Sequence, residues 1–266
     1  MNSEQLKQEY AALLSGGHIS PEVTDRYHVV PTIDIVDYLE QTNEWELVHI
    51  ETPNVRKENP FTTKHMLRFD HCYYRNKNRA LSLYVINSHN GKAAVKIMAG
   101  FFEFVCANGC AVGDYYAERL THKRIRAAMQ TIDMLADVTR KAIELHKVGE
   151  TWQVIDLQEH GLDRVSFMQR AAKEVLPLRN QSIEAIPSDS NFYVPRKEQS
   201  EPSVWNCYQT LQEKLIRGGY DYINEAGKRR EAREIKNISA KVKLNEALFN
   251  AVAKQVTALP KTFYIN

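Results

Sequence analysis

Apolar positions along this chain change period about halfway. Residues 3–14 place Leu6, Tyr10, Leu13 and Leu14 on one helical face, and Gly16-Gly17 ends that helix. Asp25 to Thr32 reads as a short strand leading into a second helix. Thr32 is its expected N-cap, and Ile33, Val36 and Leu39 form its apolar face. From Trp45 to Val105 the apolar residues tend to alternate, as in Leu81-Ser82-Leu83-Tyr84-Val85-Ile86, which predicts strands. Asn87 to Gly91 separates two of them. The Asn90-Gly91 pair predicts a hairpin, because both residues tolerate positive φ. Leu81–Ile86 and Ala94–Ala99 are therefore expected as neighbouring antiparallel strands.

From Thr121 onward the period is helical. Ile125, Met129, Ile132, Leu135, Ala136 and Ile143 stripe one long helix, capped by Thr121, and Val165, Phe167, Met168, Ala172 and Val175 stripe a second at 162–176. Residues 177–202 hold Pro177, Pro187, Pro195 and Pro202 and read as a long loop, a kind of segment that is often functional or mobile. Helices are expected at 204–217, stopped by Gly218-Gly219, and at 240–259. The predicted class is α+β: a sheet-rich part over 1–120 and a helical part over 121–266, joined as one integrated domain over 25–255.

Composition changes little in that picture. The 266 residues are 43% hydrophobic and 26% charged, which suits a globular protein. A net charge of +2 means that any anionic partner must be met by a local patch. Met1 to Leu14 carries Glu4, Lys7, Gln8 and Glu9 and lacks the apolar core of a signal peptide. The longest apolar stretch, 93–105, is interrupted by Lys96 and Glu103 and is too short to span a bilayer. A cytoplasmic protein with reduced thiols and no membrane partner is expected.

Charge placement is the most informative chemistry. Between Arg217 and Lys243 stand eight bases against four acids: Arg217, Lys228, Arg229, Arg230, Arg233, Lys236, Lys241 and Lys243. Tyr220 and Tyr222 lie among them. A second cluster joins Arg119, His122, Lys123, Arg124 and Arg126 at the start of the long helix, where positive charge opposes the helix dipole. Bases neutralise phosphates and tyrosines stack bases, a pairing that suits single-stranded nucleic acid. The plain alternative is a solvated helical face on which Glu231 and Glu234 pair with neighbouring bases.

Other chemistry is sparse. His71-Cys72 and Cys106-x3-Cys110 supply soft ligands, yet adjacent strand residues point to opposite faces, so no metal site is expected. Cys106 with His89 or His122 would make a nucleophile pair, but Cys106 ends an apolar run and reads as a structural thiol. No phosphate-cradling, dinucleotide, hydrolase or zinc-protease motif is present, and no cofactor is expected. The turn at Asn87, Ser88, His89, Asn90 and Gly91 supports two readings: simple turn chemistry, or donors presented from a loop tip.

Three stretches carry a family resemblance. Ile86-Asn87-Ser88-His89-Asn90-Gly91, with Ala99-Gly100-Phe101-Phe102-Glu103-Phe104-Val105-Cys106-Ala107-Asn108-Gly109, is similar to an "NSHDG … GLFRxVCxNGL" core. Val204-Trp205 through Gln212-Glu213-Lys214-Leu215-Ile216-Arg217-Gly218-Gly219 resembles "LWxTxxxxQENLIxGG". Arg229-Arg230 to Ile235, then Val242-Lys243-Leu244-Asn245-Glu246-Ala247-Leu248-Phe249, resembles "R…TRxI…VKLNxALW". Weaker matches fall at Arg26-Tyr27, Pro31-Thr32, Lys64 to Arg68 and His122. The pattern is that of the domain-of-unknown-function 932 family of phages, prophages and plasmids. Glu103 stands in place of its usual Arg, Cys110 of Leu, Asn90 of Asp and Phe249 of Trp. The resemblance implies a mobile-element setting, beside recombination, single-strand binding and anti-restriction functions.

The leading expectation is a non-enzymatic DNA-binding accessory protein acting in replication, recombination or single-strand annealing. A unit of this size is compatible with a homo-oligomeric ring or filament. A second expectation is an inhibitor that binds a host defence or restriction protein, and a third is an enzyme using His89, His122 or Cys106.

Overall fold

The computed structural model describes residues 2–18, 20–21, 23, 29–52, 59, 61–77, 79–91, 94–103, 108–112, 118–120 and 127–259. Within 101–134, and at 141 and 145, it describes backbone alone. The fold is α+β, divided into two compact units, residues 1–146 and 147–266. The division falls at His146/Lys147, inside the long helix, where the sequence pattern placed the change of texture at residue 120.

The first unit opens with α1 (Ser3–Glu9), α2 (Ala11–Leu14) and α3 (Thr32–Gln41). A reciprocal cap starts α1: Asn2 Oδ1 accepts from Gln5 N at 2.9 Å, and Gln5 Oε1 accepts from Asn2 N at 3.0 Å. Lys7 Nζ donates to Glu40 Oε2 at 2.9 Å, tying α1 to α3. The buried face of α3 is Thr32, Ile35, Val36 and Leu39. Its N-cap is Pro31, and Thr32 is the first helical residue, its hydroxyl turned inward for the reason given below.

The sheet is antiparallel throughout. Its strands are β1 (Trp45–Glu51), β2 (His65–Arg75), β3 (Arg79–Asn87), β4 (Val95–Glu103), β5 (Asn108–Val112) and β6 (Glu118–Leu120). They lie in the order β1-β2-β3-β4-β5, with β6 also paired to β4. All nine residues of β3 are buried, which makes it the centre of the unit's core. The expected neighbours 81–86 and 94–99 do pair, with Leu83 opposite Ala99 and Ile86 opposite Lys96. Glu103 falls at the position directly opposite Arg79, so an acid and a base hold opposed places in the ladder. The β3–β4 connection is longer than a two-residue turn. Gly91 has φ +71 there, whereas Asn90 stays in ordinary backbone space.

The helix α4 (Ala127–Val154) runs 28 residues and ends later than its apolar stripe predicts; the expected Thr121 cap lies outside the described residues. Leu135, Val138 and Ala142 form its buried line in the first unit, three and four residues apart.

In the second unit, α5 (Arg164–Val175), α6 (Val204–Arg217) and α7 (Ile238–Thr257) each begin on a side-chain cap. Asp163 accepts from Ser166 N at 2.7 Å, Ser203 from Asn206 N at 3.2 Å, and Asn237 from Ala240 N at 3.0 Å. The helix α7 packs on both α5 and α6. Arg170 Nε donates to Gln255 Oε1 at 2.9 Å, and Lys254 pairs with Glu174 at 3.1 Å. Buried Gln212 donates to Asn245 Oδ1 at 3.3 Å, so two residues of the family-like stretches meet between α6 and α7. Phe249 stacks on Trp152 at 4.8 Å, filling an aromatic position.

Residues 176–203 hold no α-helix or regular strand, yet they are fastened along their length by short 3-10 turns and side-chain contacts. Phe192 is fully buried against Tyr220, with ring centroids 4.6 Å apart. Arg196 pairs with Glu213, its Nε 2.8 Å from Oε2. Arg164 donates to the carbonyls of Gln199 at 2.8 Å and Ser200 and Glu201 at 3.2 Å, and to Thr210 Oγ1 at 2.9 Å. Removing that guanidinium strands several acceptors at once. Arg164→Ala is expected to cost about 2–3 kcal/mol in urea unfolding. Arg164→Lys should recover little, because an ammonium cannot span the same fork. A lysine variant as stable as the parent would refute that role.

Candidate functional site

The chain from 217 to 237 is not the basic helix that its charges resemble. It is a hairpin of β7 (Asp221–Ile223) and β8 (Arg229–Glu231). Gly218 ends α6 with φ 75 and ψ −137, a conformation open to glycine, and so turns the chain outward. Gly219 N then donates to Ala232 O, and Ala232 N to Tyr220 O, each at 2.8 Å. At the far end Asn224 Oδ1 accepts from Lys228 N at 2.8 Å, and Gly227 takes φ +69.

Strand alternation sorts the bases of this hairpin. Asp221 lies opposite Glu231, Tyr222 opposite Arg230, and Ile223 opposite Arg229. Asp221 and Arg229 therefore share one face, and there Arg229 pairs with Asp221 at 2.9 Å and with Asp189 at 2.8 Å. Hydrogen bonding first to Asp189 and then to Asp221 raises the Arg229 pKa above its ordinary value. Tyr222 and Arg230 occupy the other face. They border an open cleft of about 530 Å³, together with Arg179, Gln181, Asn224, Glu231, Ala232 and Arg233. Arg230 and Arg233 are exposed, and neither makes an ion pair among the described residues. Arg217, Lys228, Lys236 and Lys243 are exposed as well, while Lys241 is half-buried.

Tyr220 behaves differently from Tyr222. It is 1% exposed, its hydroxyl donates to Gln181 Oε1 at 2.6 Å, and burial pushes its pKa up to about 12. Its ring is packed inside and shows no face to a ligand. Arg179 sits 5.7 Å from that ring and donates to Arg233 O at 2.6 Å and to Leu215 O. Sequence reasoning missed Arg179, Gln181 and Asn224. For Arg179 no local signal exists, since Arg233 lies 54 positions away. For Asn224 the turn residues Asn224 and Gly227 were a usable sign.

Residues 87–90 of the turn are interior, and only Gly91 is exposed. Asn87, Ser88 and His89 are fully buried, and Asn90 is 7% exposed. Three separate family-like stretches converge here: Thr32 from α3, His65 from β2 and Asn87 from β3. Thr32 Oγ1 lies 2.8 Å from His65 Nε2, 2.9 Å from Asn87 Nδ2 and 3.3 Å from His89 Nε2. His65 Nδ1 is 3.0 Å from Thr63 O, so it carries the proton and donates. His65 Nε2 is then an acceptor and takes the Thr32 hydroxyl proton. The two lone pairs of Thr32 accept from Asn87 and from His89 Nε2–H, which saturates the hydroxyl. Asn87 also donates to Val30 O at 2.9 Å, and its Oδ1 accepts from Ser88 N at 2.8 Å. Gly16, at φ +64, lies over the cluster: a Cβ there would meet Val29 Cγ1 at 2.7 Å and His89 Nε2 at 3.6 Å. Burial lowers the His65 pKa to about 4 and keeps the ring neutral. The arrangement fixes α3 on the sheet and holds its histidines away from solvent.

Lys123, Arg124, Arg126, His122 and Cys106 lie outside the described residues, as does most of the strand expected at Asp25–Thr32. Among the described residues, no three His, Cys, Asp or Glu side chains are grouped to hold a metal, and no helix is long and apolar enough to cross a membrane.

Comparison with known proteins agrees with the placement of these stretches. Residues 21–249 match the family model described as "Domain of unknown function (DUF932)". The "UPF0380 protein YfjQ" of Escherichia coli (strain K12) is 28% identical over 239 residues, covering 89% of this chain and 85% of the relative. The "UPF0380 protein YafZ" of the same organism is also 28% identical, over 249 residues and with the same coverage. No solved structure matches. With most of its length inside the matched region, the chain belongs to the DUF932 family.

Proposed function

We propose that this protein binds single-stranded nucleic acid through the exposed face of the β7–β8 hairpin. In this reading it is a non-enzymatic cytoplasmic accessory to DNA replication, recombination or strand annealing on a phage, prophage or plasmid. The observation that carries the reading is the pairing of Tyr222 with Arg230 at the rim of an open cleft, beside Arg233, which makes no ion pair among the described residues. Exposed guanidinium groups attract phosphates, and a half-exposed ring offers a stacking surface that a duplex does not use. Lys228, Lys236 and Arg217 extend the positive surface around it.

Arg229 is a poor probe, because a glutamate there would face Asp189 and Asp221 and loosen the hairpin. Arg230→Glu/Arg233→Glu is the informative variant. Its affinity for a labelled oligonucleotide should fall at least about ten-fold at low salt, and the slope of log affinity on log salt should shrink by about two. Its melting temperature should stay close to the parent's, since both side chains are exposed. Unchanged affinity and salt slope would overturn the reading. So would an oligonucleotide-silent protein that forms a salt-insensitive complex with a host defence factor.

A further inference from the structure

Most of the polar groups around the cleft share one chemical sense. Asn224 Oδ1 is consumed by Lys228 N, so its NH2 group remains for the cleft. Gln181 Oε1 is consumed by the Tyr220 hydroxyl, so its NH2 group also remains. Arg179 is held in place by two backbone carbonyls and by the face of Tyr220. Arg230 and Arg233 add guanidinium donors, and Glu231 is the one acid of the lining. The cleft is thus rich in donors and poor in acceptors, with an aromatic ring at its edge. Its volume of about 530 Å³ accommodates a ligand the size of one nucleotide.

We infer that the cleft is a single-nucleotide subsite, taking one phosphate and one unstacked base with a keto oxygen at C4 of a pyrimidine or C6 of a purine. This rests on the nucleic-acid reading above and adds base preference to it. Arg230 and Arg233 hold the phosphate, and Tyr222 stacks on the base. The amide NH2 groups of Asn224 and Gln181 donate to ring oxygens. Thymine and uracil present a carbonyl acceptor at C4 and guanine one at C6; cytosine keeps its C2 oxygen but, like adenine at C6, turns an exocyclic amino group outward at C4, where it meets these donors donor to donor.

The test compares the affinities of a short oligothymidylate and an oligocytidylate of equal length, both pyrimidine strands that stack weakly. The unsubstituted protein should favour the oligothymidylate by on the order of five- to ten-fold. Asn224→Asp keeps the oxygen that caps the hairpin turn but loses the NH2 donor, and it should bring the ratio close to one. Gln181→Glu likewise keeps its acceptor for Tyr220 and serves as the second variant should Asn224→Asp disturb the turn. Arg230→Glu should lower both affinities alike and leave their ratio standing. Equal affinities in the unsubstituted protein, or a ratio that survives both amide substitutions, overturns the subsite. The nucleic-acid reading outlives that result if both strands still bind with a salt slope. Absence of binding by either strand removes the two together.

Discussion

Gly218→Ala should cost about 4 kcal/mol, while Gly219→Ala, one residue on, should cost about 1 kcal/mol. Both glycines have positive φ, +75 and +72, so φ alone does not separate them. What separates them is the neighbour. A Cβ on Gly218 would stand 2.2 Å from Ala232 O and 2.8 Å from the carbonyl carbons of Ala232 and Arg233, whereas one on Gly219 meets nothing within 4 Å. The obstruction is backbone, which cannot rotate aside as a side chain can. To admit a methyl group, β8 must lift from the end of α6, breaking the bond from Gly219 N to Ala232 O. Urea unfolding of the two variants checks the contrast, and midpoints that agree would refute it. Under the proposed function, Gly218→Ala should also abolish oligonucleotide binding before it abolishes the helical circular dichroism of α5 to α7, because the clash falls on the hairpin rather than on those helices.

The second large effect is a dependence on pH. The His65 pKa is about 4 in the folded protein, against an ordinary 6.5. The ring must stay neutral, since protonation at Nε2 would set a proton against the Thr32 hydroxyl, whose acceptor sites are already filled. Between these two pKa values the unfolded chain binds a proton that the folded chain refuses. The His65 contribution to stability is therefore fully present above about pH 6.5, falls as the pH drops toward 4, and levels off below that. The loss attributable to His65 is about 3 kcal/mol across the window. His89, which shares Thr32 with it, is the other titratable group of the cluster. His65→Gln should be less stable at pH 7 but should show a flatter pH profile from 6.5 to 5, above the range where ordinary carboxylates titrate. Asn87→Ala, which strands Val30 O, Thr32 and Ser88 N, should lose about 3 kcal/mol at pH 7. An unchanged pH slope in His65→Gln would contradict this account.

Much of the fold was legible because local pattern and tertiary packing agree. The apolar spacing of 204–217 and the following glycines mark α6 closely, and alternation in 81–86 marks the central strand. Thr32 was misleading for a physical reason. A threonine before an apolar run usually caps a helix, but here its hydroxyl is claimed by partners 33, 55 and 57 positions away, which no local pattern records. The hairpin was hidden differently. Asp221-Tyr222-Ile223 and Arg229-Arg230-Glu231 are too short and too polar to show alternation, and the spacing of Glu231 and Glu234 imitates helical pairing. What makes the hairpin is its ends: Gly218 at the base, Asn224 and Gly227 at the tip, and Asp189 reaching Arg229 from the preceding segment. The donor character of the cleft emerges only when both amide oxygens are seen to be occupied.

The packing of α5 against α7 has a consequence for how the chain is made. Their ties, Glu174 to Lys254 and Arg170 to Gln255, span 80 and 85 positions. On a translating ribosome α5 emerges first, and its apolar line of Phe167, Met168, Ala171, Ala172 and Val175 has no α7 to cover it for several seconds of synthesis. The sheet of the first unit has its strands in hand by then and closes through near neighbours. The second unit reaches native packing only once α7 has emerged, so the nascent chain carries an uncovered apolar helix through that interval.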